Sequence, residues 1–209
     1  MHTLGWQIRC GLVCIGMKTP KILAFAGSTR SASYNKQLVR LAADAARAAG
    51  AEVTLIDLRD FPMPLYDGDL EEQQGLPENA KKLKALFREH DALLISAPEY
   101  NSSITAVLKN TIDWVSRTET DDEPALVAYQ GKTAALLSAS PGALGGLRGL
   151  VHVRAILGNI GVIVLPDQVS VPKAYEAFDE KGGLKEERLA RQVTKVAHGL
   201  VEFLKKHAG

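Results

Sequence analysis

ILAFAGSTRSASYN, residues 22–35, decides how the rest of the chain is read. The apolar run 22–26 stops at Gly27, and small polar residues follow. Leu38, Leu41, Ala42, Ala45, Ala46 and Ala49 then recur at helical spacing up to Gly50. Strand, tight loop and helix in succession aim backbone N–H groups at an anion. Ser28, Ser31 and Ser33 add hydroxyl donors, and Arg30 adds a planar, permanently charged fork suited to phosphate oxygens. Asn35 either caps the helix or bonds a ligand. The stretch reads as a cradle for a terminal phosphate dianion. The plainer alternative is an ordinary βα connection with a serine cap.

Two better-known phosphate motifs are absent. G-x-G-x-x-G occurs nowhere in the chain. Asp57 ends the second apolar run, where a Rossmann acid would hold a ribose. Without the glycines it reads as a solvated loop carboxylate or a helix cap. Gly131-Lys132-Thr133 resembles the tail of a P-loop, but Leu126 takes the place of its first glycine. That segment also precedes an apolar strand, which a P-loop must follow.

With 209 residues, 46% of them hydrophobic, the chain can bury one sizeable core. Lys+Arg 25 against Asp+Glu 24 gives no electrostatic reason for nucleic-acid or membrane binding. No apolar stretch approaches the roughly eighteen residues of a membrane span. Cys10 and Cys14 are the only cysteines, and their spacing lacks the second pair or the histidines of a zinc site. A cytoplasmic protein without a metal is expected. Residues 1–16 fit nothing that follows, because their apolar residues have no period and Arg9 interrupts them. They read as a disordered upstream extension, with Met17 as the natural start and residues 17–209 as one domain.

The remaining segments alternate. Residues 53–58 read as a second strand and 60–75 as a surface loop. Ala80, Leu83, Leu86 and Phe87 mark a helix, and residues 92–97 a buried strand ended by Pro98. Val107, Leu108, Thr111, Ile112 and Val115 mark a third helix. Residues 133–139 form a fourth strand, about 147–157 a helix and 162–165 a fifth strand. After Gly182-Gly183 comes a last helix with Leu189, Val193, Val196, Leu200 and Leu204 on its apolar face. Continuously apolar strands alternating with helices imply an α/β three-layer sandwich. Its five-stranded parallel sheet takes the flavodoxin-like order 2-1-3-4-5. Ligands in such sheets sit beyond the carboxyl ends of the first and third strands. The loops after the first, third and fourth strands therefore meet at one edge.

The loop after the third strand is Pro98-Glu99-Tyr100-Asn101-Ser102. Its backbone N–H groups suit the polar edge of a planar ring, and Tyr100 can cover one side of it. The plainer reading is a loop leading into a helix, capped by Asn101 or Ser102. Glu99 has no visible partner to tune it as an acid or base. Ile112 and Trp114 read as core, and Lys109 with Asp113 as a helix-surface pair. The loop after the fourth strand carries Ser140-Pro141-Gly142 and then Gly145-Gly146-Leu147-Arg148. Its glycines permit close approach to a flat ligand or to another subunit. Arg148 serves a ligand phosphate, an interface carboxylate or solvent. The five histidines are scattered, no hydrolase triad is visible, and His152 reads as a packed residue.

These segments resemble one family. Gly27-Ser28-x-Arg30-x-x-Ser33-x-Asn35, the loop from Pro98 to Ser103, Leu108-Lys109-Asn110-x-Ile112-Asp113-Trp114-x-Ser116-Arg117 and Gly145-Gly146-x-Arg148 resemble the NAD(P)H-dependent FMN reductases. That family includes bacterial quinone and chromate reductases and azoreductase-like flavoproteins. The resemblance runs from about Lys21 to Phe203. It implies a flavodoxin-like fold with non-covalent FMN. Ser28 together with Arg30, Ser31, Ala32, Ser33, Tyr34 and Asn35 would hold the phosphate. Pro98, Glu99, Tyr100, Asn101 and Ser102 would lie along the flavin ring, with Ser140 touching it from the third loop. It further implies NADH or NADPH as co-substrate, a quinone-like acceptor, and a homodimer or homotetramer with the flavin near the interface. No side chain need be an obligate acid or base, because the flavin carries the chemistry.

The resemblance is not complete. The N-terminal extension is no family feature, and Ser102 stands where some relatives have a second aromatic residue. Two rival readings belong to other classes. A flavodoxin-type electron carrier would usually be more acidic than this near-neutral chain. A phospho-receiver would need acids after the first strand and an aspartate after the third, where Gly27-Ser28 and Pro98-Glu99 stand.

Overall fold

A computed structural model describes residues 18–207. The expected extension, with Cys10, Cys14 and the proposed start at Met17, lies outside these residues. Elements run in the order β1 (Lys21–Ala26), α1 (Tyr34–Ala48), β2 (Glu52–Asp57), α2 (Gly68–Gln74), α3 (Glu78–Glu89), β3 (Ala92–Ser96), β4 (Glu99–Tyr100), β5 (Ser103–Ile104), α4 (Ala106–Val115), β6 (Thr133–Ala139), α5 (Leu147–Asn159), β7 (Ile163–Val171), α6 (Ala174–Ala177) and α7 (Glu187–His207). The parallel sheet has the order β2-β1-β3-β6-β7. This is the expected order, because β4 and β5 stand outside the sheet as a small antiparallel pair.

Alternation along the strands builds two cores. Ile22, Ala24 and Ala26 of β1 face α1 and α7, with Leu38, Ala42, Val196 and Leu200 packed beneath them. Leu23 and Phe25 face the other way, onto Leu83 and Phe87 of α3, Leu108 and Ile112 of α4, and Leu150 and Val153 of α5. Every residue of β1 after Lys21 is buried, as are all of β3 and β6, so these strands are covered on both sides and mostly apolar. Trp114 is fully buried in a third, smaller cluster with Leu76 and Ala80, and its indole N–H donates to Pro64 O at 2.9 Å. Lys109 and Asp113 pair on the exposed face of α4 as expected.

Two expected boundaries move. Residues 60–75 are not all loop. Asp67 accepts from Asp69 N at 2.9 Å and starts α2, a helix with no buried residue and hence no apolar stripe to announce it. The last strand does not stop before Pro166 but runs on to Val171. Its pairing shifts register between Ala134 and Leu136, and Arg154 of α5 donates to Val164 O, Leu165 O and Gln168 Oε1 across that irregularity. Proline is tolerated there because β7 is an edge strand.

Candidate functional site

Packing first brings the carboxyl ends of β1, β3 and β6 together. Gly27 N donates to Ser96 O at 2.9 Å, and Ala97 N to Leu137 O at 2.8 Å. A Cβ on Gly27 would lie 3.0 Å from Leu108 Cβ, so glycine lets the end of β1 touch α4. Thr105 caps α4, accepting from Leu108 N, and its hydroxyl donates to Gly27 O at 2.7 Å. The cap is therefore Thr105 and not Asn101 or Ser102, which instead form the tip of the β4–β5 hairpin. Both have positive φ, 50° and 65°, the signature of a tight hairpin turn.

The pocket at this edge is walled by Ser28, Arg30, Ser33, Tyr34 and Asn35 from the first loop, Pro98, Glu99 and Tyr100 from the second, and Ala139, Ser140 and Pro141 from the third. Nine residues expected from the sequence meet here. Ser31, Ala32, Asn101 and Ser102 do not reach the wall; Ser31, Ala32 and Asn101 are exposed. Ala139 and Pro141 were not expected. They enter as neighbours of Ser140, and neither residue type carries a chemical signal.

On the first loop, donors stand ready. Ser33 is the N-cap of α1, yet its side chain makes no capping bond. Its carbonyl accepts from Lys36 N and Gln37 N, while the N–H groups of Tyr34 and Asn35 find no acceptor among the described residues. Ser28 and Ser33 are both buried. Arg30 is exposed, and its guanidinium has no acidic partner among the described residues. Unpaired N–H groups at the start of a 15-residue helix, two inward hydroxyls and a free guanidinium fit a phosphate dianion.

Asn35 plays a different part from the one expected of it. Its side chain is committed to the sheet: Nδ2 donates to Ala139 O at 2.8 Å, while Oδ1 accepts from Ser96 Oγ at 2.8 Å and from Ala139 N at 2.9 Å. Its side chain does not cap the helix; it ties α1 to the ends of β3 and β6, while the residue lines the pocket. Tyr34 stacks on Phe178, with centroids 5.9 Å apart.

On the facing wall, charges are committed to each other. Glu99 Oε2 accepts from Arg148 N at 3.0 Å and Gly149 N at 3.2 Å, and Oε1 accepts from Arg148 Nε at 2.8 Å and from its Nη2. Glu99 thus caps α5 and ties the hairpin to it. Burial by itself would raise the Glu99 carboxyl, but the Arg148 guanidinium and the two backbone N–H groups hold it below its ordinary value. Arg148 meets the Glu99 carboxylate of its own chain. The glycines also serve the fold itself. A Cβ on Gly146 would lie 1.9 Å from Ser138 Oγ, and one on Gly145 2.7 Å from the backbone of Val171 and Pro172. His152 is exposed, not packed, with Nδ1 2.9 Å from Ser103 Oγ. Of the two readings of Asp57, loop carboxylate or helix cap, the structure shows the cap: it accepts from Arg59 N at 3.0 Å at the start of a single 3-10 turn.

The chain is similar to proteins named as reductases. It is 33% identical over 190 residues to an NAD(P)H-dependent FMN reductase of Pseudomonas aeruginosa, covering 90% of this chain and 97% of the relative. It is 33% identical over 145 residues to a quinone reductase of Escherichia coli, 69% of this chain and 73% of that one. Among solved structures, the flavoenzyme NAD(P)H:(acceptor) oxidoreductase of Paracoccus denitrificans superposes with a TM-score of 0.75 at 25% identity, covering 90% of this chain and 99% of that chain. The family model described as NADPH-dependent FMN reductase matches residues 20–176, a span that holds all three loops of the pocket. The chain belongs to the NADPH-dependent FMN reductase family.

Proposed function

We propose that the protein is an FMN-dependent oxidoreductase that takes electrons from NADH or NADPH and passes them in pairs to quinones or similar acceptors. Flavin, azo compounds and chromate are further candidate acceptors. The observation that carries this reading is the set of uncommitted donors on the first loop facing Pro98–Tyr100 and Ser140 across one pocket. Ser28, Ser33, Arg30 and the first amides of α1 would hold the phosphate. Tyr100 and Ser140 would border the flavin ring. FMN, when bound, supplies the hydride-accepting and two-electron chemistry. The chain fixes position and excludes water; Glu99, held ionised by Arg148, neither gives nor takes a proton. The absence of a separate dinucleotide fingerprint favours one shared place for nicotinamide and acceptor. A flavodoxin-like carrier shares the fold, but relatives named as reductases favour the enzyme.

Steady-state oxidation of NADH and NADPH with a quinone tests this. Parallel double-reciprocal lines are expected, with inhibition at high acceptor. Intersecting lines would mean a ternary complex and overturn the shared place. A second part of the proposal is assembly, as a homodimer or homotetramer, with Gly145–Arg148 near the contact. Leu144, Leu147 and Val151 lie exposed at 50%, 42% and 58% along that edge, which supports it. Sedimentation of a fully active 22.5 kDa monomer at micromolar concentration would exclude it. A cytoplasmic setting belongs to the same proposal.

A further inference from the structure

Strand β2 lies parallel to β1 with Asp57 opposite Ala26, so the chain leaving β2 emerges beside the first loop. Asp57 fixes that exit. Its Oδ2 takes Lys36 Nζ from α1 at 2.5 Å, while its Oδ1 accepts from Arg59 N. The root of Arg59 is thereby tied to the helix that follows the phosphate loop. From there the guanidinium reaches back, placing Nε at 2.9 Å and Nη2 at 2.5 Å from a single acceptor, Thr29 O.

Two donors from a rigid planar fork fix the direction of a carbonyl as well as its distance. In a trans peptide the N–H points opposite to the C=O. With Thr29 O drawn toward Arg59, the Arg30 N–H must turn the other way. It does, donating at 3.3 Å to the buried Ser28 Oγ on the pocket wall. Thr29 and Arg30 are both exposed, and apart from the Arg59 fork the only hold on this peptide among the described residues is the long bond from Arg30 N to Ser28 Oγ. Without Arg59 only that 3.3 Å bond would keep the peptide from flipping and presenting a carbonyl oxygen to the anion.

We propose that Arg59 is a positioning residue for the phosphate loop. It holds the 29–30 peptide with its N–H toward the pocket and its carbonyl away. The inference rests on the reading of this loop as the FMN phosphate cradle. Arg59 does not itself touch the phosphate, and its contribution is the orientation of its neighbour.

The test uses the full-length chain freed of flavin. Dissociation constants for FMN and for riboflavin are measured by flavin fluorescence in wild type, Arg59→Met and Arg59→Lys, at low salt and in 0.5 M salt. Arg59→Met is expected to weaken FMN roughly tenfold, the scale of one lost charge-assisted contact. Riboflavin affinity and the flavin-free melting temperature should stay unchanged. Lysine keeps the charge but not the fork, so Arg59→Lys should recover only a small part of the loss. The loss should persist in 0.5 M salt, where a through-space attraction is screened. Full recovery by lysine, or a loss that vanishes in salt, would make Arg59 a charge only and overturn the proposal. So would an Arg59→Met protein within twofold of wild type for FMN while wild type still prefers FMN to riboflavin. Equal binding of FMN and riboflavin by wild type would instead overturn the cradle reading beneath it.

Discussion

The two walls of the pocket treat charge in opposite ways. On the first loop, the Ser33 hydroxyl, the leading amides of α1 and the Arg30 guanidinium are left without partners among the described residues. On the facing wall, Glu99 and Arg148 neutralise each other and the carboxylate also caps α5. Buried donors without partners are costly unless something binds them, which supports the proposal that the first wall is built around a ligand. The second is built around the protein and only presents a surface, chiefly Tyr100. In the proposed function, one wall holds the resident cofactor and the other screens what approaches it.

The largest test of this contrast is the residue between the walls. Asn35→Ala removes the partners of Ser96 Oγ–H, Ala139 N–H and Ala139 C=O together. Leaving such groups unsatisfied in a buried site costs about 1–3 kcal/mol each, so a loss of about 4 kcal/mol is expected in urea unfolding of flavin-free protein. Asn35→Asp keeps the two accepted bonds, loses the donated one and should fall between. A loss under about 1 kcal/mol for Asn35→Ala would mean that the strand ends hold themselves together.

Next comes Arg30→Ala, which strips the first wall of its free charge. FMN should weaken about ten- to a hundredfold, roughly 1.5–3 kcal/mol, with riboflavin binding and unfolding unchanged. The selectivity for FMN is what distinguishes a phosphate contact from a general loosening of the loop. An unchanged dissociation constant would place the phosphate elsewhere.

How much of this can be read without coordinates differs between the walls. The first loop is local: strand, serines, arginine and helix follow one another within 14 residues, and the pattern alone points to an anion. The sheet order is legible too, because β1, β3 and β6 are continuously apolar. The second wall is not local. Glu99 and Arg148 lie 49 residues apart, and nothing in either segment says that one caps the helix of the other. Asn35 shows the same limit across 104 residues to Ala139: its position in the loop suggests a ligand contact, and only the sheet reveals its partners. Helix α2 and the end of β7 were hidden for a different reason, since a helix with no fully buried residue and a proline-bearing edge strand lack the burial that creates a pattern.

A smaller effect is expected from Glu99→Gln. The Arg148 partner is 56% exposed on its side chain, so the pair adds little beyond the cap, and about 1 kcal/mol of stability should be lost at neutral pH. Glu99 has a lowered folded-state pKa, so its contribution is present above the unfolded value, near 4.3, and is lost as pH falls through the lower folded value. The gap between wild type and Glu99→Gln should therefore close in acid, as followed by urea unfolding from pH 7 to pH 3. Turnover should stay within about tenfold, short of the 10²–10⁴ of an essential acid or base. A thousandfold loss with FMN still bound would make Glu99 catalytic.

The finest test concerns what the second wall presents. Tyr100 is 52% exposed and sits one residue before the hairpin tip, whose two positive-φ residues hold the turn without help from its ring. Removing the ring should leave the fold and the Glu99–Arg148 tie intact. Tyr100→Ala should then raise the apparent KM for quinones a few-fold, the scale of about 1 kcal/mol from partly burying an aromatic face, while FMN affinity stays within twofold. Because the ring acts through contact area, the change should grow from a one-ring to a three-ring quinone and nearly vanish for a small anion such as chromate. An equal shift for every acceptor would mean that Tyr100 does not border the acceptor. A loss of FMN affinity would transfer Tyr100 from the wall that screens visitors to the wall that holds the resident.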